Sequence, residues 1–245
     1  MAKENLTALI TGGSRGIGAA ICKRLAMLGI DISFTYINSD DIALKLVNEL
    51  ESYEVKAKCY KVNSADVVNM QALAEIVYKE FGRIDILINN ADSVKINSIL
   101  NLTNEEINES INKTIIGPMI LSRECAKLMI NGGRIINISS VKAKIVGMPN
   151  ISLHVLGKSA WISFSKSWAH DLANKGITVN SILPGPIKTD LNPGTGANGD
   201  YNRNRTALKR YGEVEDVANM VEFLISSSAS YITGSEFNVD GGFNA

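Results

Sequence analysis

The sequence predicts an α/β protein: one doubly wound parallel sheet of about seven strands, with helices on both faces. Three observations predict it. Short apolar runs alternate with helix-length amphipathic segments. A glycine-rich turn joins the first strand to the first helix. The length, 245 residues, suits one large domain over 1–245 and is enough to bury a full core.

The elements follow in order. Leu6–Thr11 is an apolar strand running into glycines, and Ile17–Leu28 is a helix that stops at Gly29. Asp31–Tyr36 is the second strand, and Asp40–Glu51 a helix with Ser39 or Asp40 as its N-cap. Val55–Val62 is the third strand, followed by a helix over Asp66–Phe81 that Gly82 closes. Ile84–Asn89 is continuously apolar, as a strand covered on both faces should be. Thr103–Met129 reads as one long helix opened by the capping box Thr103-Asn-Glu-Glu106. Arg134–Ser139 is the fifth strand, Ser152–Lys175 a long helix and Thr178–Ile182 the sixth strand. Glu213–Ser226 is the last helix and Glu236–Val239 the last strand. Residues 191–205, rich in Gly and Asn, read as a mobile substrate loop over the carboxyl edge of the sheet.

Composition excludes several functions. The 25 basic residues balance the 25 acidic ones, so no nucleic-acid-binding face is expected. No apolar run reaches membrane-spanning length and the opening residues carry no signal pattern, so no membrane partner is expected. Three scattered cysteines, Cys22, Cys59 and Cys125, form no ligand spacing; a reduced, cytoplasmic setting and no metal are expected.

The turn Thr11-Gly-Gly-Ser-Arg-Gly-Ile-Gly18 lies between a strand and a helix, where backbone N–H groups cradle a pyrophosphate. The second strand ends Tyr36-Ile37-Asn38-Ser39 without the carboxylate that would hold a ribose 2′-OH. Arg15 can pair with a 2′-phosphate instead, with Asn38 and Ser39 as further donors. This favours NADP(H) over NAD(H) in a Rossmann-type site.

With these residues in view, the chain resembles the classical short-chain dehydrogenase/reductase family, in particular its 3-oxoacyl-ACP-reductase-like members. Thr11–Gly18 fills the family pattern T-G-x-x-x-G-x-G, and Asn89-Asn90-Ala91 resembles N-N-A-G. Asn137-Ile-Ser-Ser140, Pro184–Thr189 and Asp240-Gly241-Gly242 fall in the family's order. The resemblance implies cofactor contacts at Gly12, Ser14, Arg15, Gly16, Ile17, Gly18, Tyr36, Asn38, Ser39, Asn63, Ser64, Asn90, Ala91, Lys158, Pro184, Gly185, Ile187 and Thr189. It implies a catalytic centre of Thr114, Ser140, His154 and Lys158, with His154 where the family has tyrosine and Thr114 where it has asparagine. Asp92 replaces the glycine of N-N-A-G, and Asn63 stands where an aspartate commonly contacts adenine.

Imidazole titrates near pH ~6.5 against ~10 for a phenol. It is also shorter by roughly 2 Å, and a misplacement of about 1 Å can cost a hundredfold in rate. His154 therefore acts in proton transfer or substrate orientation, or it only lines the pocket. Two functions follow. One is an NADP(H)-dependent oxidoreductase passing hydride to a small-molecule C=O or C=N. The other is a catalytically impaired relative that binds a nucleotide or another ligand in a regulatory role. The helix at Ser152–Lys175 carries more apolar surface than one sheet-facing stripe needs, so an interface with another subunit is expected; the resemblance implies that this helix and the Glu213–Ser226 helix pair between subunits, in a homodimer or homotetramer.

Overall fold

The structure, a computed structural model, describes residues 6–92, 95–130 and 132–245. Seven strands form one parallel sheet in the order β3-β2-β1-β4-β5-β6-β7. They are β1 (Thr7–Ile10), β2 (Asp31–Tyr36), β3 (Ala57–Lys61), β4 (Ile86–Asn89), β5 (Arg134–Ile138), β6 (Thr178–Pro184) and β7 (Glu236–Val239). The order reverses between β1 and β4, so their carboxyl ends open a crevice.

Alternation along the strands separates two cores. Ala8, Ile10, Ile86 and Ile88 face α1 (Gly16–Ala26), α2 (Asp40–Glu51) and α8 (Val214–Ile225). Leu9, Leu87, Ile135 and Val179 face α3 (Val67–Phe81) and α5 (Gly117–Leu128) on the other side. Buried polar side chains tie that second layer to the sheet. Asn89 donates to Ser122 Oγ (2.9 Å) and Asn137 Oδ1 (2.8 Å), and Asn137 donates to Ser165 Oγ (2.8 Å) on α6 (Ser152–Asp171).

Three elements differ from the sequence reading. The long helix from Thr103 is broken: α4 (Asn104–Ile111) passes through a π-helical turn at Asn112–Ile116 into α5. Pro118 lacks the N–H that would continue the α-helical ladder, which accounts for a break there, and Gly117 leaves room for the Ser64 carbonyl oxygen, which would lie 1.9 Å from a β-carbon at that position. The capping box at Thr103 and Glu106 forms as read. Residues 196–205 are helical (α7, Gly196–Arg205) rather than a loop. Their lack of an apolar stripe hides the helix. It is held by Asn202 donating to Tyr211 Oη (2.9 Å), Arg203 donating to the Gly194 carbonyl, and Gly199 pressed against Gly194. Ser39 precedes α2 in a left-handed conformation (φ 70°), but its hydroxyl makes no cap and serves another partner.

Candidate active site

The glycine turn is shaped by contacts no side chain would survive. A β-carbon on Gly18 would lie 2.2 Å from the Gly12 carbonyl oxygen, and one on Gly12, which has φ +64°, would lie 2.9 Å from Ala91 Cα. Asn90 clasps the turn from the end of β4: Nδ2 donates to the carbonyls of Thr11 and Gly12, each at 3.0 Å. Thr11 Oγ1 in return accepts from the N–H groups of Asn90 (2.9 Å) and Ala91 (3.0 Å). The N-terminus of α1 has neither a side-chain cap nor an acid in its first turn. Its free backbone donors and dipole suit an anion. Among the described residues beyond its own helix, a β-carbon on Gly16 would meet only Thr189 within 4 Å. This cradle fits a pyrophosphate.

The next feature lies where β2 ends. Arg15 Nη2 donates to Ser39 Oγ at 2.8 Å. Burial, and then the negative charge of Asp40, push the Tyr36 hydroxyl above its ordinary range. Asp40, the first residue of α2, is itself paired with Lys61 at 2.9 Å. A guanidinium bound to a hydroxyl can still receive a phosphate.

At the other end, β5 delivers Ser140 and α6 delivers His154 and Lys158 on one face, one turn apart. Ser140 Oγ accepts from the Lys142 N–H (3.1 Å). Ser139 Oγ donates to the Lys158 carbonyl (2.6 Å), and Lys158 Nζ donates to the Ile138 carbonyl (2.8 Å), so lysine and strand end are locked together. Asp92 Oδ2 lies 3.4 Å from both His154 Nδ1 and Lys158 Nζ. His154 Nδ1 is buried and completes no hydrogen bond.

One cleft of about 650 Å³ joins these ends. It is lined by Gly12, Ser14, Arg15, Gly16, Ile17, Gly18, Tyr36, Asn38, Ser39, Ser64, Asn90, Ala91, Ser140, His154, Lys158, Pro184, Gly185, Ile187 and Thr189. Two residues of the sequence reading stand apart from it. Asn63 turns its side chain back to accept from the Ala65 N–H (3.0 Å). Thr114 is buried, donates to the Ser110 carbonyl (2.7 Å) and packs beneath Gly157. Thr114 lies within the π turn, where Lys113 lines the cleft and Thr114 is buried. Thr35 was missed as well: its Oγ1 accepts from the Gly12 N–H (3.1 Å). A hollow of about 760 Å³ between α8 and the C-terminal turn contains none of the glycine turn, Ser140, His154 or Lys158. No group of acidic, histidine or cysteine side chains among the described residues could hold a metal ion.

Comparison with known proteins agrees with this geometry. The family model described as Enoyl-(Acyl carrier protein) reductase matches residues 12–244. The chain is 36% identical to the Cyclic-di-GMP-binding biofilm dispersal mediator protein of Escherichia coli, covering 98% of this chain and 97% of the relative. It is 35% identical to a 3-oxoacyl-[acyl-carrier-protein] reductase of Staphylococcus aureus, with 98% of each covered. The crystal structure of a short chain dehydrogenase from Burkholderia cenocepacia in complex with NADP superposes with a TM-score of 0.95, at 38% identity over 98% of each chain.

Proposed function

Because the chain belongs to the short-chain dehydrogenase/reductase family, we propose that it is an NADP(H)-dependent oxidoreductase acting on a small-molecule C=O or C=N group. One observation carries this reading: a single cleft runs from the phosphate cradle and the Arg15–Ser39 pair to Ser140, His154 and Lys158. The bound NADP in the Burkholderia relative supports the choice of cofactor.

In this reading the backbone of the glycine turn and the α1 N-terminus hold the pyrophosphate. Arg15, Ser39 and Asn38 hold the 2′-phosphate, Lys158 the nicotinamide ribose, and Pro184–Thr189 the nicotinamide side. When bound, the cofactor supplies the hydride. Ser140 holds the substrate oxygen or nitrogen, and His154 handles the proton, directly or through a water. Thr114 supports the centre by packing, since its hydroxyl is engaged by Ser110. An iminium substrate already carries its positive charge, so it needs less help from an acid, and Asp92 would attract it.

The second reading is a ligand-binding regulator on the same scaffold. The printed name of the Escherichia coli relative supports it, as does the histidine at 154. NADPH binding followed by fluorescence, then cofactor oxidation with a panel of ketones, quinones and cyclic imines, separates the two. Turnover of any member supports the oxidoreductase. Binding without turnover across the panel favours the regulator, and absence of NADPH binding overturns the first reading.

We place the protein in a reducing cytoplasm, supported by its free thiols Cys22, Cys59 and Cys125. Among the described residues no helix is long and apolar enough to cross a membrane. We assign a homodimer or homotetramer built on α6 and α8. Exposed Leu156 and Phe223, and the Phe164–Trp168 stack (5.4 Å), support that choice. Sedimentation velocity reads the assembly directly.

A further inference from the structure

The two residues that depart most sharply from the family motifs, Asp92 and His154, face each other in the fold. We infer that Asp92 is a positioning residue: it fixes the tautomer and orientation of the His154 ring, so that Nε2 is the atom that exchanges a proton with substrate. This deepens the oxidoreductase reading and rests on it.

Four observations support the assignment. First, His154 Nδ1 is buried without a completed hydrogen bond, a costly state for a ring nitrogen. Second, Asp92 Oδ2 lies 3.4 Å away, a few tenths of an ångström beyond a formed bond. Catalytic hydrogen bonds are often this loose before substrate arrives. Third, the chain is anchored immediately before Asp92, where the N–H groups of Asn90 and Ala91 donate to Thr11 Oγ1. Fourth, Lys158 Nζ donates to the Ile138 carbonyl at 2.8 Å and is 3.4 Å from the same Asp92 oxygen. The ammonium therefore has a partner of its own, and the carboxylate bridges both side chains.

Among the described residues, the charged groups lining the cleft with His154 are Asp92 from the loop after β4, Lys158 one turn along α6, Lys113 on the π turn, Arg15 and Asp190; of the acids, Asp92 is the one within 4 Å of a ring nitrogen. With Nδ1–H directed at Asp92, Nε2 is left to face the substrate. In reduction, the carbon takes a hydride with its electron pair and the oxygen takes the proton from Nε2 of the doubly protonated ring. The neutral ring keeps Nδ1–H on Asp92, and solvent returns the lost proton. In oxidation, Nε2 accepts the hydroxyl proton as the hydride leaves. A carboxylate behind an imidazole plays the same orienting part in hydrolytic triads.

The experiment reads the tautomer first, in the free protein. The chain has two histidines, so long-range ¹H–¹⁵N correlation spectra with a His170→Gln variant assign His154. At a pH where the ring is neutral, Nδ1 is expected to carry the proton; Asp92→Ala is expected to release it toward the Nε2–H form. With turnover measured, Asp92→Ala should lower kcat about 10- to 100-fold, with KM for substrate little changed. The same substitution in the His154→Tyr background should cost less than about 3-fold, because a phenol offers no second nitrogen to orient. An Nε2–H tautomer in the unsubstituted protein overturns the inference. So does an equal loss in both backgrounds, which would place the effect of Asp92 on Lys158. Absence of NADPH binding would overturn the oxidoreductase reading while leaving the tautomer result to stand by itself.

Discussion

Arg15 reaches across the mouth of the cleft to Ser39, and its Nη2 donates to Ser39 Oγ at 2.8 Å. The bond joins the glycine turn to the end of β2, the two segments between which a ribose would lie. The strand end that carries Ser39 offers no carboxylate to the cleft among the described lining residues, and the carboxylate of Asp40 pairs with Lys61. A site built this way should prefer a cofactor bearing a phosphate at the ribose. Arg15→Ala is expected to weaken NADPH binding about 10- to 100-fold, the worth of a lost charge-assisted contact, and to leave NADH nearly unchanged. Paired fluorescence titrations check this, and equal losses for both cofactors would contradict it.

The turn itself should tolerate nothing larger than hydrogen at position 18. A methyl group there meets the Gly12 carbonyl oxygen at 2.2 Å and Asn90 Nδ2 at 2.7 Å, both parts of the clasp. Gly18→Ala is expected to destabilise the fold by about 1–3 kcal/mol and to reduce cofactor affinity together with it. Gly29→Ala is the contrast. Unlike Gly18 it has positive φ (+75°), and among the described residues nothing lies within 4 Å of the added carbon, so it costs only the strain of a left-handed residue, about 1 kcal/mol, with cofactor affinity kept. Thermal melts and NADPH titrations of the two variants separate the effects.

These two cases show why the cradle was legible in the sequence. Glycines at fixed offsets after an apolar strand specify a backbone shape, and backbone shape follows from local sequence. The same holds for β1 to β7, whose apolar runs and alternating faces are present in the residues themselves. The π turn was legible in principle, because Pro118 forbids an unbroken helix, yet the capping box and apolar periodicity on either side masked it. Thr114, assigned by its spacing from Gly117-Pro118, lies buried against Gly157, while its neighbour Lys113 lines the cleft and carried no motif to mark it. The helix α7 was hidden for the opposite reason: its stability comes from side chains bonding to Gly194 and Tyr211, partners that only the fold brings near. Asp92 was visible as an oddity, but its place beside His154 and Lys158 depends on the loop after β4 meeting α6, two elements far apart in the sequence.

Glu236 at the start of β7 should make the protein acid-sensitive. It pairs with Lys144, just beyond Ser140, and with Lys166 on α6, each at 2.6 Å. Burial raises its carboxyl, but the hydrogen bonds and charges of the two lysines outweigh burial and the net shift is downward. A carboxyl depressed in the folded state stabilises it at pH above the unfolded value, about 4.3, and loses that contribution as pH falls through the depressed folded value. Both lysines are largely exposed, so the effect is modest. Glu236→Gln is expected to cost about 1 kcal/mol at pH 7, with the gap to the unsubstituted protein closing below about pH 4. Denaturant melts from pH 7 to pH 3 test it; a gap independent of pH would show that packing, not charge, is what Glu236 contributes.

The contact between Thr114 and Gly157 offers the sharpest test of the π turn. A β-carbon at 157 would lie 2.7 Å from Thr114 Oγ1 and 2.9 Å from its Cβ, so α6 approaches the bulge closely only because position 157 is glycine. That approach sets the height of His154 and Lys158, which flank Gly157 on the same helix. Gly157→Ala should push the helix away by several tenths of an ångström. The expected cost is about 1–3 kcal/mol of stability, together with a fall in turnover larger than any fall in NADPH affinity, since a small misplacement of a reacting group is expensive. Removing the obstructing hydroxyl and methyl with Thr114→Gly in the Gly157→Ala background should restore much of the turnover even though the added glycine itself costs helix stability. If the double substitution is no more active than Gly157→Ala alone, the two helices do not set each other's position through this contact.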